Sequence, residues 1–103
     1  MHKPTVEPIQ KPDQPPVRDR GVYAISVAAE LTGTAVQNLR VYERRGLVEP
    51  ARTTGGTRRY SEADLDRIRR VVVLLAEGLN LAGIARVLGL EEDNARLRRL
   101  VGK

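Results

Sequence analysis

From residue 21 onward, apolar residues recur mostly at three- and four-residue steps, the spacing of one face of an α-helix. Val27, Ala28 and Leu31 predict a first short helix over roughly Val27–Leu31, with Ser26 as its N-cap. Thr32-Gly33-Thr34 breaks it, with Gly33 where a sharp turn needs a residue that takes positive φ cheaply. A second helix runs from about Ala35 to Arg45 and stops at Gly46. Val36 and Leu39 face inward and Leu47 closes the end, while Gln37, Asn38, Arg40, Tyr42, Arg44 and Arg45 are among the outward groups. The helical period then lapses. Leu47-Val48 and Arg58-Arg59-Tyr60 flank PARTTGGT, where Gly55-Gly56 predicts a two-residue hairpin turn.

Ser61-Glu62-Ala63-Asp64 opens a third helix as a capping box with Asp in the usual Glu position. Glu62, Asp64 and Asp66 suit the positive end of its dipole, and Leu65, Ile68, Val72 and Leu75 form its core stripe up to Gly78. Asn80 caps a fourth helix, Leu81 to about Leu88, which packs through Leu81, Ile84, Val87 and Leu88 and ends at Gly89. On a short last helix, Leu90, Asn94, Leu97 and Val101 alternate steps of four and three, a heptad seam with Asn at one core position. Such a helix fits either a dimer contact or a fold back onto the core. Residues 1–20 hold five of the six prolines and little apolar pattern, so they read as a disordered Pro-rich tail, with a docking segment or DNA-touching arm as the alternative. The domain proper is then 21–89, with 90–103 as the terminal helix. The fold class is mainly α: a winged helix-turn-helix with two supporting helices and a short C-terminal helix.

Composition narrows the chemistry. Phe and Trp are absent, so the core is aliphatic, a palette suited to packed helices. Cys is absent and the single His, His2, lies in the tail, which removes disulfides, thiolate chemistry and a His-based metal or catalytic site; no cofactor is expected. No run is long enough to span a membrane and the N-terminus lacks a signal-peptide block, so a cytoplasmic, nucleoid-associated protein is expected. Lys and Arg outnumber Asp and Glu by 18 to 13, a formal charge of +5, with Arg clustered at 40–45, 52–59 and 67–70. That distribution favours a polyanion. Amides pair bidentately with adenine and Arg with guanine, so the outward face of the second helix suits a major groove. Arg52, Arg58 and Arg59 along the hairpin suit phosphates, with the Thr53 hydroxyl among smaller donors. Arg67, Arg69 and Arg70 read as solvated, with Arg67 near enough to the wing to reach DNA. The Gly pair lacks the GxxxxGK[ST] context of a phosphate-cradling enzyme, and Glu43, Glu49 and Glu62 show no acid–base pairing.

The pieces ISVAAELTG, QNLRVYERRGLVEPART, GGTRRYS and EGLNLAGIARVLGLE, in that order over about residues 22–92, resemble the MerR family of bacterial transcription regulators, and NLAGI its HspR branch of heat-shock repressors. The resemblance implies a second helix in the major groove of double-stranded DNA and a wing on the backbone. It puts Arg40, Tyr42, Arg59 and Tyr60 on motif positions tied to DNA contact or wing packing, with Tyr60 anchoring the wing to the body. It also implies a repressor linked to the chaperone DnaK. The sequence departs from the family at Val41-Tyr42, where many relatives have an aromatic pair, and in stopping at Lys103, where relatives carry a long dimer helix. A weak homodimer and side-by-side assembly on DNA are therefore both open. A protein-interaction module binding a chaperone, polymerase or full-length relative is the alternative to a DNA-binding regulator.

Overall fold

The computed structural model describes residues 16–101. Its elements are α1 (Ile25–Thr32), α2 (Val36–Arg44), β1 (Ala51–Arg52), β2 (Arg58–Arg59), α3 (Glu62–Ala76) and α4 (Leu81–Val101). Ala28, Leu39, Leu47, Val48, Tyr60, Leu65, Ile68, Val71 and Ile84 are all but fully buried, so all four α-helices, and Tyr60 just past the end of β2, reach a single core. α3 is the central support, packed against both α1 and α4.

The helix ends follow from local chemistry. Ser61 caps α3: its Oγ accepts from the Asp64 N–H at 3.0 Å, and the Asp64 carboxylate accepts from the Ser61 N–H at 2.9 Å. α1, α2 and α3 close alike, with the residue after a left-handed glycine donating back into the last turn (Thr34 to Ala29, Leu47 to Tyr42, Leu79 to Leu74). Asn80 caps α4 by accepting from the Gly83 N–H at 2.8 Å.

Several expectations are corrected. α1 starts at Ile25 from an Ala24 N-cap with no side-chain bond, and Ser26 lies inside the first turn. Beginning earlier lets Ile25 pack against the core. Ala28 and Ala29 take the inward positions, while Val27 and Leu31 are 39% and 47% exposed. In α3 the buried row is Leu65, Ile68, Val71 and Leu74, and Val72 and Leu75 face out. Val71–Leu75 is apolar all round, so period alone could not choose between the two rows, and contact with α1 and α4 does. The fourth and last helices are one: α4 runs unbroken through Gly89, since a lone glycine with a helical φ weakens a helix without ending it.

The tail reading falls mostly on residues 1–15, outside the described residues. Within its last part, Val17–Asp19 form a 3-10 turn against α3, where Arg18 pairs with Asp66 at 2.6 Å, so the folded part begins before residue 21. Residues 22–23 then add a rung to the wing. Tyr23 and Tyr60 form an antiparallel bridge, with Tyr60 N–H donating to the Tyr23 carbonyl at 2.7 Å. Gly21 is needed there, because a Cβ would sit 2.5 Å from the Arg59 carbonyl oxygen.

Candidate nucleic-acid interface

α2 is held by Leu39 and Tyr42, 0% and 5% exposed, with Val36 packed beside them. At about 100° per residue, Gln37, Asn38, Arg40, Val41, Arg44 and Arg45 occupy an outward arc of roughly 160°. Gln37, Asn38, Arg40, Arg44 and Arg45 are all exposed. Arg40, Arg44 and Arg45 enter no ion pair among the described residues. This surface therefore presents three cations with no carboxylate within ion-pairing distance among the described residues. Tyr42, expected outward, is corrected to a core residue. It lies three positions after Leu39 on the same side, and burial raises its phenol pKa. Val41, half-buried, stands in the middle of the outward arc instead.

The wing is shorter than expected and its turn differs. β1 and β2 pair antiparallel with Ala51 opposite Arg59 and Arg52 opposite Arg58. The loop is three residues rather than two. Gly56 N–H donates to the Thr53 carbonyl and Thr53 N–H to the Thr57 carbonyl, both at 2.8 Å, with Gly56 at φ 91°. Thr54-Gly55 thus form the turn and Gly56 the left-handed bulge, a combination that suits the twist of a short hairpin. The Thr53 hydroxyl oxygen accepts from the Thr57 N–H at 3.1 Å and keeps its own proton to donate.

The wing arginines are not equivalent. Arg52 and Arg58 both donate to Glu43 in the last full turn of α2, Arg52 at 2.6 Å, and Arg52 also donates to the Gly56 carbonyl at 2.8 Å. Burial pushes the Glu43 carboxyl up, but hydrogen bonds and charge from the two arginines outweigh it and hold its pKa below the ordinary value. Arg59, half-buried, donates to the Arg58 carbonyl at 3.0 Å. Tyr60 lies fully inside, anchoring β2 to the body, and its buried hydroxyl has no protein hydrogen-bond partner among the described residues. Sequence reasoning missed Glu43 as the link between helix and wing, since its partners lie nine and fifteen residues away, beyond any local spacing rule.

Behind the wing, the arginines expected to be solvated are all engaged. Arg67 donates to the Leu47 carbonyl and to Glu92, Arg69 to Asp66 and the Leu31 carbonyl, and Arg70 to Glu91. Arg67 therefore ties α3 and the segment just after α2 to α4. A cleft of about 410 Å³ beside it is lined by Gly46, Leu47, Val48, Glu49, Asp64, Arg67 and Glu92. With three acids against one base, it is a poor seat for phosphate. In the outer part of α4, Leu90, Asn94, Leu97 and Val101 are all exposed, as is every residue from 91 to 101. No described helix is long and apolar enough to cross a membrane, and no group of three or more potential metal ligands exists among the described residues.

Known proteins resemble the chain in sequence and in fold. The chain is 52% identical to the putative heat shock protein HspR of Streptomyces coelicolor over 81 residues, 78% of this chain and 54% of that protein. It is 37% identical over 76 residues to the HTH-type transcriptional regulator GlnR of Bacillus anthracis, 74% of this chain and 59% of that protein. The chain thus spans little more than half the length of these curated relatives. HiNmlR, a MerR family regulator lacking the sensor domain and solved bound to promoter DNA, superposes with a TM-score of 0.60 at 26% identity, covering 78% of each chain. Residues 23–90 match the family described as MerR HTH family regulatory protein. With well over half of its length inside that match, the chain belongs to the MerR family of helix-turn-helix regulatory proteins.

Proposed function

We propose that the chain is a sequence-specific DNA-binding transcriptional regulator of the HspR type, a repressor acting in the cytoplasm on the nucleoid. The observation that carries this reading is the exposed arc of α2, where Gln37, Asn38, Arg40, Arg44 and Arg45 stand free of ion pairs beside a basic wing. α2 enters the major groove, Gln37, Asn38 and Arg40 meet base edges, and Arg44, Arg45 and Arg59 meet phosphates. Arg52, Arg58 and Thr53 supply further backbone contacts from the wing, while Tyr42 and Tyr60 support the surface from inside. The HspR relative and the promoter-bound neighbour support the assignment to DNA and to stress-linked control. Selecting bound fragments of the source genome with purified protein at two salt concentrations tests it. The expected result is an inverted repeat at promoters, bound tightly at moderate salt. Sequence-blind binding that vanishes as salt rises would refute site-specific regulation.

The outer part of α4 favours a second reading. Leu90, Leu97 and Val101 are 62%, 55% and 79% exposed, and beyond the pairs that Glu91 and Glu92 make with α3 every described residue of the helix is exposed. That seam suits a second copy of the chain, in a weak dimer or side by side on DNA, or a chaperone such as DnaK. Sedimentation with and without the selected duplex separates these, because only self-association changes the mass of protein alone with concentration.

A further inference from the structure

The wing is two residues per strand, far below what holds a hairpin together in water. Its two paired positions include Arg52 directly opposite Arg58, and like charges facing each other across a ladder push the strands apart. One side chain reconciles them. Each oxygen of the Glu43 carboxylate accepts from a different arginine, and Arg52 extends the chain of bonds to the Gly56 carbonyl in the turn. The Glu43 side chain is 18% exposed, well covered for a surface acid. In a simple charge count, an acid beside a phosphate-binding surface weakens binding, and its loss would free two arginines for DNA.

We infer that Glu43 is a positioning residue for DNA binding: it clamps the wing to the last turn of α2, so that removing this negative charge lowers affinity instead of raising it. The inference rests on the regulator reading above. It follows from reach as much as from charge. The carboxylate must touch the guanidiniums of both strands at once, which fixes the wing's angle to the recognition helix before DNA arrives and so spares that ordering on binding. Arg52 and Arg58 then present their remaining N–H groups from a fixed frame.

The test uses the full chain, a duplex selected by the wild type, and an unrelated duplex. Glu43→Gln keeps the shape and loses the charge; Glu43→Asp keeps the charge and loses the reach to both partners. Both are expected to bind the selected duplex about tenfold more weakly, and the effect of Glu43→Gln is expected to vanish in an Arg52→Ala plus Arg58→Ala background. Without DNA, amide exchange at Thr53 and Gly56 should quicken in both variants while amides of α3 keep their protection, which separates wing loosening from unfolding. Equal or tighter binding by Glu43→Gln, with a steeper salt dependence, would overturn the inference, as would near-normal binding by Glu43→Asp or a penalty that persists in the double-arginine background. If the wild type binds no duplex, the regulator reading fails, a result distinct from each of these.

Discussion

Replacing Arg44 and Arg45 together by alanine tests the proposed DNA-binding surface most directly. Both are exposed at the end of α2 and neither enters an ion pair among the described residues. Arg44 sits in the last helical turn, where a cation is favoured by the dipole, so folding stability should fall by no more than about 1 kcal/mol for each. Binding should change far more. Each phosphate contact contributes about 0.9 to the slope of log affinity against log salt, so losing two should flatten the slope by roughly 1.8. Between 50 and 200 mM salt, that amounts to a change of about twelvefold in the ratio of the two affinities. The assay is fluorescence anisotropy on a selected duplex across that range. Arg98→Ala plus Arg99→Ala is the control, removing the same net charge from the exposed far end of α4. An unchanged slope in the Arg44/Arg45 variant would refute the phosphate contacts. An equal flattening in the control would show that net charge alone, and no particular geometry, attracts the DNA.

Tyr60→Phe removes a buried hydroxyl that has no protein partner, so it should stabilise the fold by about 1–3 kcal/mol and leave DNA affinity unaltered; thermal melts should rise by about 4–8 °C per kcal/mol. A lower melting temperature would mean that the hydroxyl is satisfied in solution. Ser61→Ala removes one half of the reciprocal cap on α3 and should cost about 1 kcal/mol by chemical denaturation, whereas no change would discount the cap. The Glu43 carboxyl is held below its ordinary pKa of 4.5, so its contribution to stability is complete above about pH 4.5 and is lost as pH falls through the lower folded value. Melting temperature should accordingly be flat from about pH 7 to 5 and decline below 4.5, with a shallower decline in Glu43→Gln; parallel declines in the two proteins would contradict this.

At most helix ends local chemistry decides and sequence and structure agree, whereas the Ser26 cap and the Gly55-Gly56 turn are local expectations that the structure corrects. Gly33, Gly46 and Gly78 take the left-handed positions after three helices, and Ser61 with Asp64 makes the capping box. The polar residues 37, 38, 40, 44 and 45 face out because Leu39 must face in. Disagreement sets in where several readings satisfy the same local rule. Tyr42 has both an apolar ring and a polar tip, so only the surrounding packing shows which governs. Val71–Leu75 satisfies more than one helical stripe, and Gly89 is compatible with both a break and a continuation. The ion pairs that hold the wing and α4 join residues far apart in the chain, and period and propensity carry no information about such partners.

The unbroken course of α4 turns it into a lever arm. Its 21 residues extend for about 32 Å, and the exposed stretch beyond Leu90 accounts for about 16 Å of that length. The near end is gripped by Ile84 and Leu88 in the core and by the Arg67–Glu92 and Arg70–Glu91 pairs at its exit. A tilt of about 10° at that grip moves the tip by roughly 3 Å, a length comparable to the rise of one base pair. Arg67 also holds the Leu47 carbonyl just past the end of α2, so the fulcrum of the arm and the support of the exposed arc of α2 share one guanidinium.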